Sequence, residues 1–453
     1  MIRRTIREWE RIGYGSDDSE IPEAHAARLV AVARASVFSG RRGEGVLAHG
    51  RKELHARGVV GVIATPDCQL EILPKIEGRG ETNVSNATLR ARLIHMLAVA
   101  YDLPIEAGAM TQLGWQRDTV LELLIRLFCT KLTDAVRQGM PHHYLEHEDD
   151  LPALRGHLDV TRQFSTLAVS PQKLACRFDA LSPDIALNQV MRAVVGKLSR
   201  LTAAPDNQRA LRELSFVYAD VADVPPSALR WDRIILDRTN RRWQDLLSLA
   251  RLFLSDRYQQ TSAGNIDGHA LLFEMNVLFE KYVERILVRA LAGTGLRVSS
   301  QGGHRDCLYE GDTGRFRTKP DLIIRRGDEI VLIIDTKWKL ITPLIDDPKQ
   351  DVSQADVYQL MAYGRLYDCP KVMLLYPHHG DLPTDPICRR YSIAAKSADE
   401  QLIVATQDLA GTQRDHRDAL RQLVVECLEH GKRPAGDQDR AQSAPETIIM
   451  PRL

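Results

Sequence analysis

The spacing of apolar residues changes twice along the chain. Over residues 1–82 apolar positions come in short runs broken by glycine. Val59-Val60-Gly61-Val62-Ile63-Ala64-Thr65 and Gln69-Leu70-Glu71-Ile72-Leu73 flank Pro66-Asp67-Cys68, which predicts a hairpin with a three-residue turn. From 83 to 265 the period becomes helical. Leu89, Leu93, Met96, Leu97 and Ala100 share one helix face, behind a cap at Ser85 or Asn86. Further helices are predicted around Val120–Phe128, Ala186–Val195 and Leu246–Leu254, with connectors near Pro141, Pro171, Pro205 and Pro225-Pro226. From 266 to 432 the pattern reads as a long helix over 271–292, strands over 321–325 and 329–339 around Arg326-Gly327-Asp328, a helix over 353–367 and a buried strand over 371–376. Residues 433–453 are expected to be a loose tail. The fold class expected is multidomain α/β: a β-rich N-terminal domain, a helical middle and a C-terminal α/β domain with a mixed central sheet.

Composition narrows the function. The 453 residues are 44% hydrophobic and 26% charged, as in ordinary globular chains that bury a core. Sixty basic residues balance sixty acidic ones, which excludes a strongly basic coat but not a local basic groove. The seven cysteines are dispersed, with no CxxC pair, so a zinc ribbon is not expected and reduced thiols are. No apolar run is long enough to span a bilayer and the first residues lack a signal-peptide core; a cytoplasmic protein without membrane contact is expected. No repeat of fixed period is present.

The informative segment is Thr318-Lys319-Pro320-Asp321-Leu322-Ile323-Ile324, followed by Ile330-Val331-Leu332-Ile333-Ile334-Asp335-Thr336-Lys337. On a strand, Asp335 and Lys337 face the same way, together with Ile333 and Val331, so the strand is expected to be buried on both sides. A carboxylate and an ammonium there are costly to desolvate unless they pair or bind something. If the two strands form a hairpin, Asp321 and Asp335 reach the same end of the sheet. Two converging carboxylates repel, and a hard cation with oxygen ligands relieves the repulsion. Such a cation, with Lys337 beside it, suits phosphodiester hydrolysis. Taken singly, Asp-Thr-Lys is compatible with an ion pair at a sheet edge; the combination favours a site. Glu280, at helical spacing from Phe273 and Val277, is either a third carboxylate or a solvated residue near Lys281 or Arg285. Gln359 and Tyr363 share a helix face and either brace the site or belong to a half-buried helix with satisfied polar groups.

Pro320-Asp321 with Asp335-Thr336-Lys337 matches the PD-(D/E)XK nuclease signature, and Gln359-xxx-Tyr363 matches its RecB-like variant. Together with Leu70-Glu71-Ile72-Leu73-Pro74-Lys75-Ile76, Leu154-Arg155-Gly156-His157-Leu158-Asp159 and Asn276-Val277-Leu278-Phe279-Glu280-Lys281-Tyr282-Val283, the chain resembles the McrC family from about residue 55 to 380. The resemblance implies a restriction-endonuclease-like C-terminal domain and Mg²⁺-dependent cutting of double-stranded DNA. Metal ligands would be Asp321, Asp335, Glu280 and the main-chain oxygen of Thr336, with Lys337 positioning the water and Gln359 and Tyr363 auxiliary. It also implies a partner, an McrB-like AAA+ GTPase hexamer that binds the GTP and reads the methylated cytosine, contacted by residues 1–82. One such site makes one nick, so a double-strand break calls for two copies. The alternatives are a regulatory bridge to the GTPase with a silent nuclease site and a stand-alone repair nuclease.

Four other features carry less. No Walker A motif is present, since Gly43-x-Gly45 followed by Gly50 has the wrong spacing. The Gly/Arg stretch 41–51 is either an inserting finger or a surface loop. The run His142–Asp150 lacks HExxH and is expected to be a solvated loop. Arg315, Arg317, Lys319, Arg325 and Arg326 are either phosphate contacts or alternating edge charges.

Overall fold

The computed structural model describes residues 2–34, 45–76, 84–103, 105, 118–170, 172–237, 240–254, 258–261, 268–342, 352–394 and 397–429. Residues 41–44 of the Gly/Arg stretch and the tail 433–453 lie outside the described residues. Contacts gather the chain into two compact units: Met1–Arg285 with His379–Asp381, and Ile286–His378 with Leu382–Leu453.

The first unit is built on a five-stranded sheet. Ile2–Arg7 runs parallel to Cys68–Leu73, which pairs with Val59–Ala64 as the expected hairpin. The sheet is completed by Gly268–Glu274 and Tyr258–Thr261, far along the sequence. The stretch expected to open a helix at 271 is thus a strand, and the helix is Met275–Ala290. A short run such as Ala270-Leu271-Leu272-Phe273 fits strand or helix equally; pairing with Val59–Ala64 decides. Gly61 makes that pairing possible. It holds φ +130°, and a Cβ there would lie 2.0 Å from the Leu271 carbonyl oxygen. The helix Glu23–Arg34 packs Ala26, Leu29, Val30 and Ala33 into the core beside this sheet.

The helices Asn86–Ala100, Val120–Arg137, Ala186–Ser199 and Gln244–Leu254 form where the apolar period places them, and Ser85 caps the first by accepting from Thr88 N. Buried Glu122 caps another, Pro205–Val217, from a distance. It accepts from Ala203 N at 2.6 Å, Ala204 N at 3.1 Å and Asn207 Nδ2 at 2.7 Å, where the helix N-terminus favours negative charge. The run expected to be a solvated loop is instead the strand His143–Leu151, paired along its whole length with Leu174–Ser182. Both its faces are largely exposed, so it lacks the alternation that marks a half-buried strand.

The second unit carries a six-stranded mixed sheet. Its order is Leu296–Ser300, Leu322–Arg326, Glu329–Thr336, Lys371–Pro377, Ser397–Gln407, Ile387–Ala394. The first three strands are antiparallel, and Glu329–Thr336, Lys371–Pro377 and Ser397–Gln407 are mutually parallel. The hairpin at Arg326-Gly327-Asp328 turns on Gly327 at φ +61°. The helix Gln354–Leu366 packs against the sheet through Leu360 and Tyr363, in a core with Ile323, Ile333, Val372 and Leu374.

Candidate active site

The central strand Glu329–Thr336 is buried on both faces from Ile330 to Thr336, as the sequence pattern requires. Its C-terminal end brings the expected groups together. Asp321, just ahead of the strand Leu322–Arg326, accepts hydrogen bonds through Oδ2 from Thr336 N at 2.8 Å and Thr336 Oγ1 at 2.9 Å. That tie clamps the hairpin's open end. Asp335 is 1% exposed, and its Oδ2 lies 2.7 Å from Lys337 Nζ, with no well-directed hydrogen bond to it. Lys337 is held in line by its own backbone, whose N–H donates to Leu375 O at 2.9 Å.

The electrostatics follow from burial and crowding. Desolvation, then the like charge of Asp321, push the Asp335 carboxyl up to about 6 against the pull of Lys337. Burial alone would lower the Lys337 ammonium. Its contact with Asp335 and the charges of Asp356 and Asp321 more than reverse this and hold it above the ordinary lysine value. Lys337 is therefore a fixed cation. Tyr363 is raised by burial and then by Asp335 and Asp321, against hydrogen bonds from Gln359 and the main chain of Lys319. Gln359 Nε2 donates to Tyr363 Oη at 2.7 Å. The pair thus braces the turn that delivers Asp321.

Asp321, Asp335, Thr336 and Lys337 meet at this end of the strand, and the Gln359–Tyr363 pair stands on the helix packed beside it. Glu280 lies on Met275–Ala290 in the first unit, where it is half-buried. Among the described residues no three His, Cys, Asp or Glu side chains gather as a group able to hold a metal ion. What the second unit offers a cation is the Asp321–Asp335 pair. Among the described residues Asp335 Oδ2 is buried with Lys337 as its one close charged neighbour, its carboxyl resists ionisation where it stands, and the Thr336 clamp on Asp321 uses Oδ2. A hard cation fits that donor set.

Sequence reading missed Asp356. It stands in the first turn of Gln354–Leu366, 3.7 Å from Lys337 Nζ and 3.1 Å from Lys339 Nζ. A signal was present: Asp356, Gln359 and Tyr363 fall at i, i+3 and i+7, on one helix face. Tyr367 was missed too. Its hydroxyl meets Thr318 Oγ1 at 2.8 Å, Arg305 N at 3.2 Å and Gly303 O, anchoring the approach to Pro320-Asp321.

Comparison with known proteins follows the same outline. A family model described as McrBC 5-methylcytosine restriction system component matches residues 54–377. A chain of the refined half-complex from the tetradecameric assembly of Thermococcus gammatolerans McrB AAA+ hexamers with bound McrC superposes with a TM-score of 0.69 at 21% identity, covering 93% of this chain and all of that one. A chain of the Thermococcus gammatolerans McrBC complex solved by cryo-EM gives 0.50 at 23% identity, covering 64% of this chain and 88% of that one. At those identities the likeness is one of fold. No curated protein matches. Among the described residues no helix is long and apolar enough to cross a membrane.

Proposed function

Since the chain belongs to the family of McrBC 5-methylcytosine restriction system components, we propose that it is the DNA-cutting subunit of such a complex, working beside an AAA+ partner that binds GTP and reads the methylated base. The supporting observation is the meeting of Asp321 and Asp335 beside a permanently charged Lys337 at one end of a buried strand. Asp335 and Asp321 would hold Mg²⁺, joined by the main-chain oxygen of Thr336. On sequence pattern alone, Glu280 is proposed as a further carboxylate. When bound, the cation supplies Lewis-acid polarisation of a phosphoryl oxygen and a lowered pKa for water.

The protein's own groups have distinct tasks. Lys337 stays protonated, so it donates: it orients water and neutralises charge that develops on the phosphate, and it does not take the proton. Asp356 is a second carboxylate close to the Lys337 ammonium and helps to position it. The Thr336 clamp on Asp321 fixes the spacing of the two carboxylates, and Gln359 and Tyr363 hold the adjoining turn. Residues 1–82 are proposed to engage the GTPase ring and stimulate it. The assembly of McrB hexamers with McrC in the Thermococcus gammatolerans structure supports this choice of partner.

The test uses the full chain with its AAA+ partner, GTP and methylated duplex. Asp335→Ala and Lys337→Ala should each abolish cleavage and leave GTPase stimulation unchanged, while Glu280→Gln should lower cleavage. Wild-type cutting by Asp335→Ala would overturn the assignment and leave a regulatory bridge.

A further inference from the structure

A two-stranded ribbon leads into Asp321 and carries large apolar side chains into solvent. Its strands, Asp306–Glu310 and Thr313–Arg317, pair with each other and stand outside the six-stranded sheet. Leu308, Tyr309 and Phe316 are 58%, 68% and 76% exposed. A lone ribbon is marginal in water, so three such side chains on it are an unusual concentration of apolar surface. Phe316 also holds φ +54°, a left-handed backbone that is strained for an aromatic residue. Strain of this kind collects where a side chain is held out for use.

The ribbon's base is fixed. Thr318 donates to Arg305 O through N at 2.8 Å and through Oγ1 at 2.7 Å, and the Arg305 guanidinium lies 5.1 Å from the Tyr367 ring centroid. The same Tyr367 hydroxyl bonds both sides of the base, so the ribbon is mounted on the helix that braces the active site. Charge differs along it. Near the turn, Arg315 pairs with Glu310 at 3.0 Å. At the base, Arg317 and Lys319 are exposed and carry no ion pair among the described residues. Phe316 stands five positions before Asp321.

We infer that this ribbon is a wedge that engages duplex DNA beside the cutting site. Phe316, with Tyr309 and Leu308 beside it, inserts apolar surface between base steps from the minor groove and unstacks them, and Arg317 and Lys319 contact the flanking phosphates. The exposed cationic side chains of Arg317 and Lys319 and chain continuity with the carboxylate pair select DNA over a protein occupant. The inference rests on the nuclease reading of the adjacent site.

The full-length chain is titrated in EDTA against a fluorescein-labelled duplex containing 2-aminopurine. A triple variant, Leu308→Ser with Tyr309→Ser and Phe316→Ser, alters only exposed side chains and should keep its circular dichroism. It should bind about tenfold more weakly and lose the 2-aminopurine fluorescence rise that marks unstacking. Arg317→Ala with Lys319→Ala should lower the slope of log K against log salt by about 2. Wild-type affinity and fluorescence in the triple variant overturn the wedge. So does a wild-type chain that fails to bind, or loss of the AAA+ partner with DNA binding intact. Asp335→Ala separates the two readings. If it stops cleavage while the triple variant binds and cuts normally, the wedge fails and the nuclease stands. If it cuts normally while the triple variant loses DNA, the wedge stands and the nuclease assignment fails.

Discussion

At the residue scale, the proposed role of Asp335 sets activity against stability. Its carboxyl titrates near 6 in the folded chain, against an ordinary value of 3.8, because it is buried beside Asp321. A folded pKa above the unfolded one means the folded state holds the proton more tightly. The folded state therefore carries no penalty below pH ~4 and the full penalty above ~6. Asp335→Asn should accordingly be more stable than wild type at pH 7.5, by at most about 3 kcal/mol, reduced because Lys337 loses its nearest partner. The gain should vanish near pH 4; urea melts at both values measure it. Activity runs the other way, since only the ionised carboxylate holds a cation. The Mg²⁺ concentration for half-maximal cleavage should rise about tenfold for each pH unit below 6. A flat titration between pH 5 and 7 would show that Asp335 does not hold the ion. The candidate residues were legible because Asp321, Asp335 and Lys337 lie at the open end of one hairpin, Asp321 just before its first strand and Lys337 just after its second, where the strand pairing brings them together. Asp356 was not: its role depends on where a separate helix docks.

At the scale of elements, legibility followed periodicity. Ala186–Ser199 and Gln244–Leu254 carry an apolar stripe with the 3.6-residue period, and that stripe is the face they bury. Gly268–Glu274 and His143–Leu151 carry no decisive period, one being apolar on both faces and the other exposed on both. Between elements, the anchoring of the Asp321 turn by Tyr367 has a measurable consequence. Tyr367→Phe keeps the edge-on ring contact with Tyr363, at a centroid distance of 6.3 Å, but removes the hydroxyl shared by Thr318, Arg305 and Gly303. The cost should be about 1–3 kcal/mol in chemical denaturation. Cleavage should fall with little change in the protein's helix content, because the turn carrying Asp321 loses its anchor. Unaltered cleavage kinetics in this variant would remove Tyr367 from the positioning apparatus.

At the scale of the molecule, polar groups buried in the first unit hold segments distant in sequence together. Glu71 is fully buried and binds Arg90 Nη2 at 2.7 Å, Thr5 Oγ1 at 3.1 Å and Val120 N at 3.0 Å. It joins two strands of the first sheet to the helices Asn86–Ala100 and Val120–Arg137. Glu71→Gln breaks the buried ion pair with Arg90 and should destabilise the first unit by about 3–5 kcal/mol, read as an earlier thermal transition. The alternation Gln69, Leu70, Glu71, Ile72 is that of a half-solvated strand, yet Cys68–Leu73 is buried on both faces. What the sequence by itself determined is what local chemistry controls: helices with a regular apolar stripe, hairpins closed by turn residues, and an acid pair and lysine carried on one hairpin. Only the tertiary structure decided which distant strand completes the first sheet, which charges are buried and matched, and which second acid reaches Lys337. Those outcomes depend on contacts between residues far apart in the chain, which no local periodicity encodes.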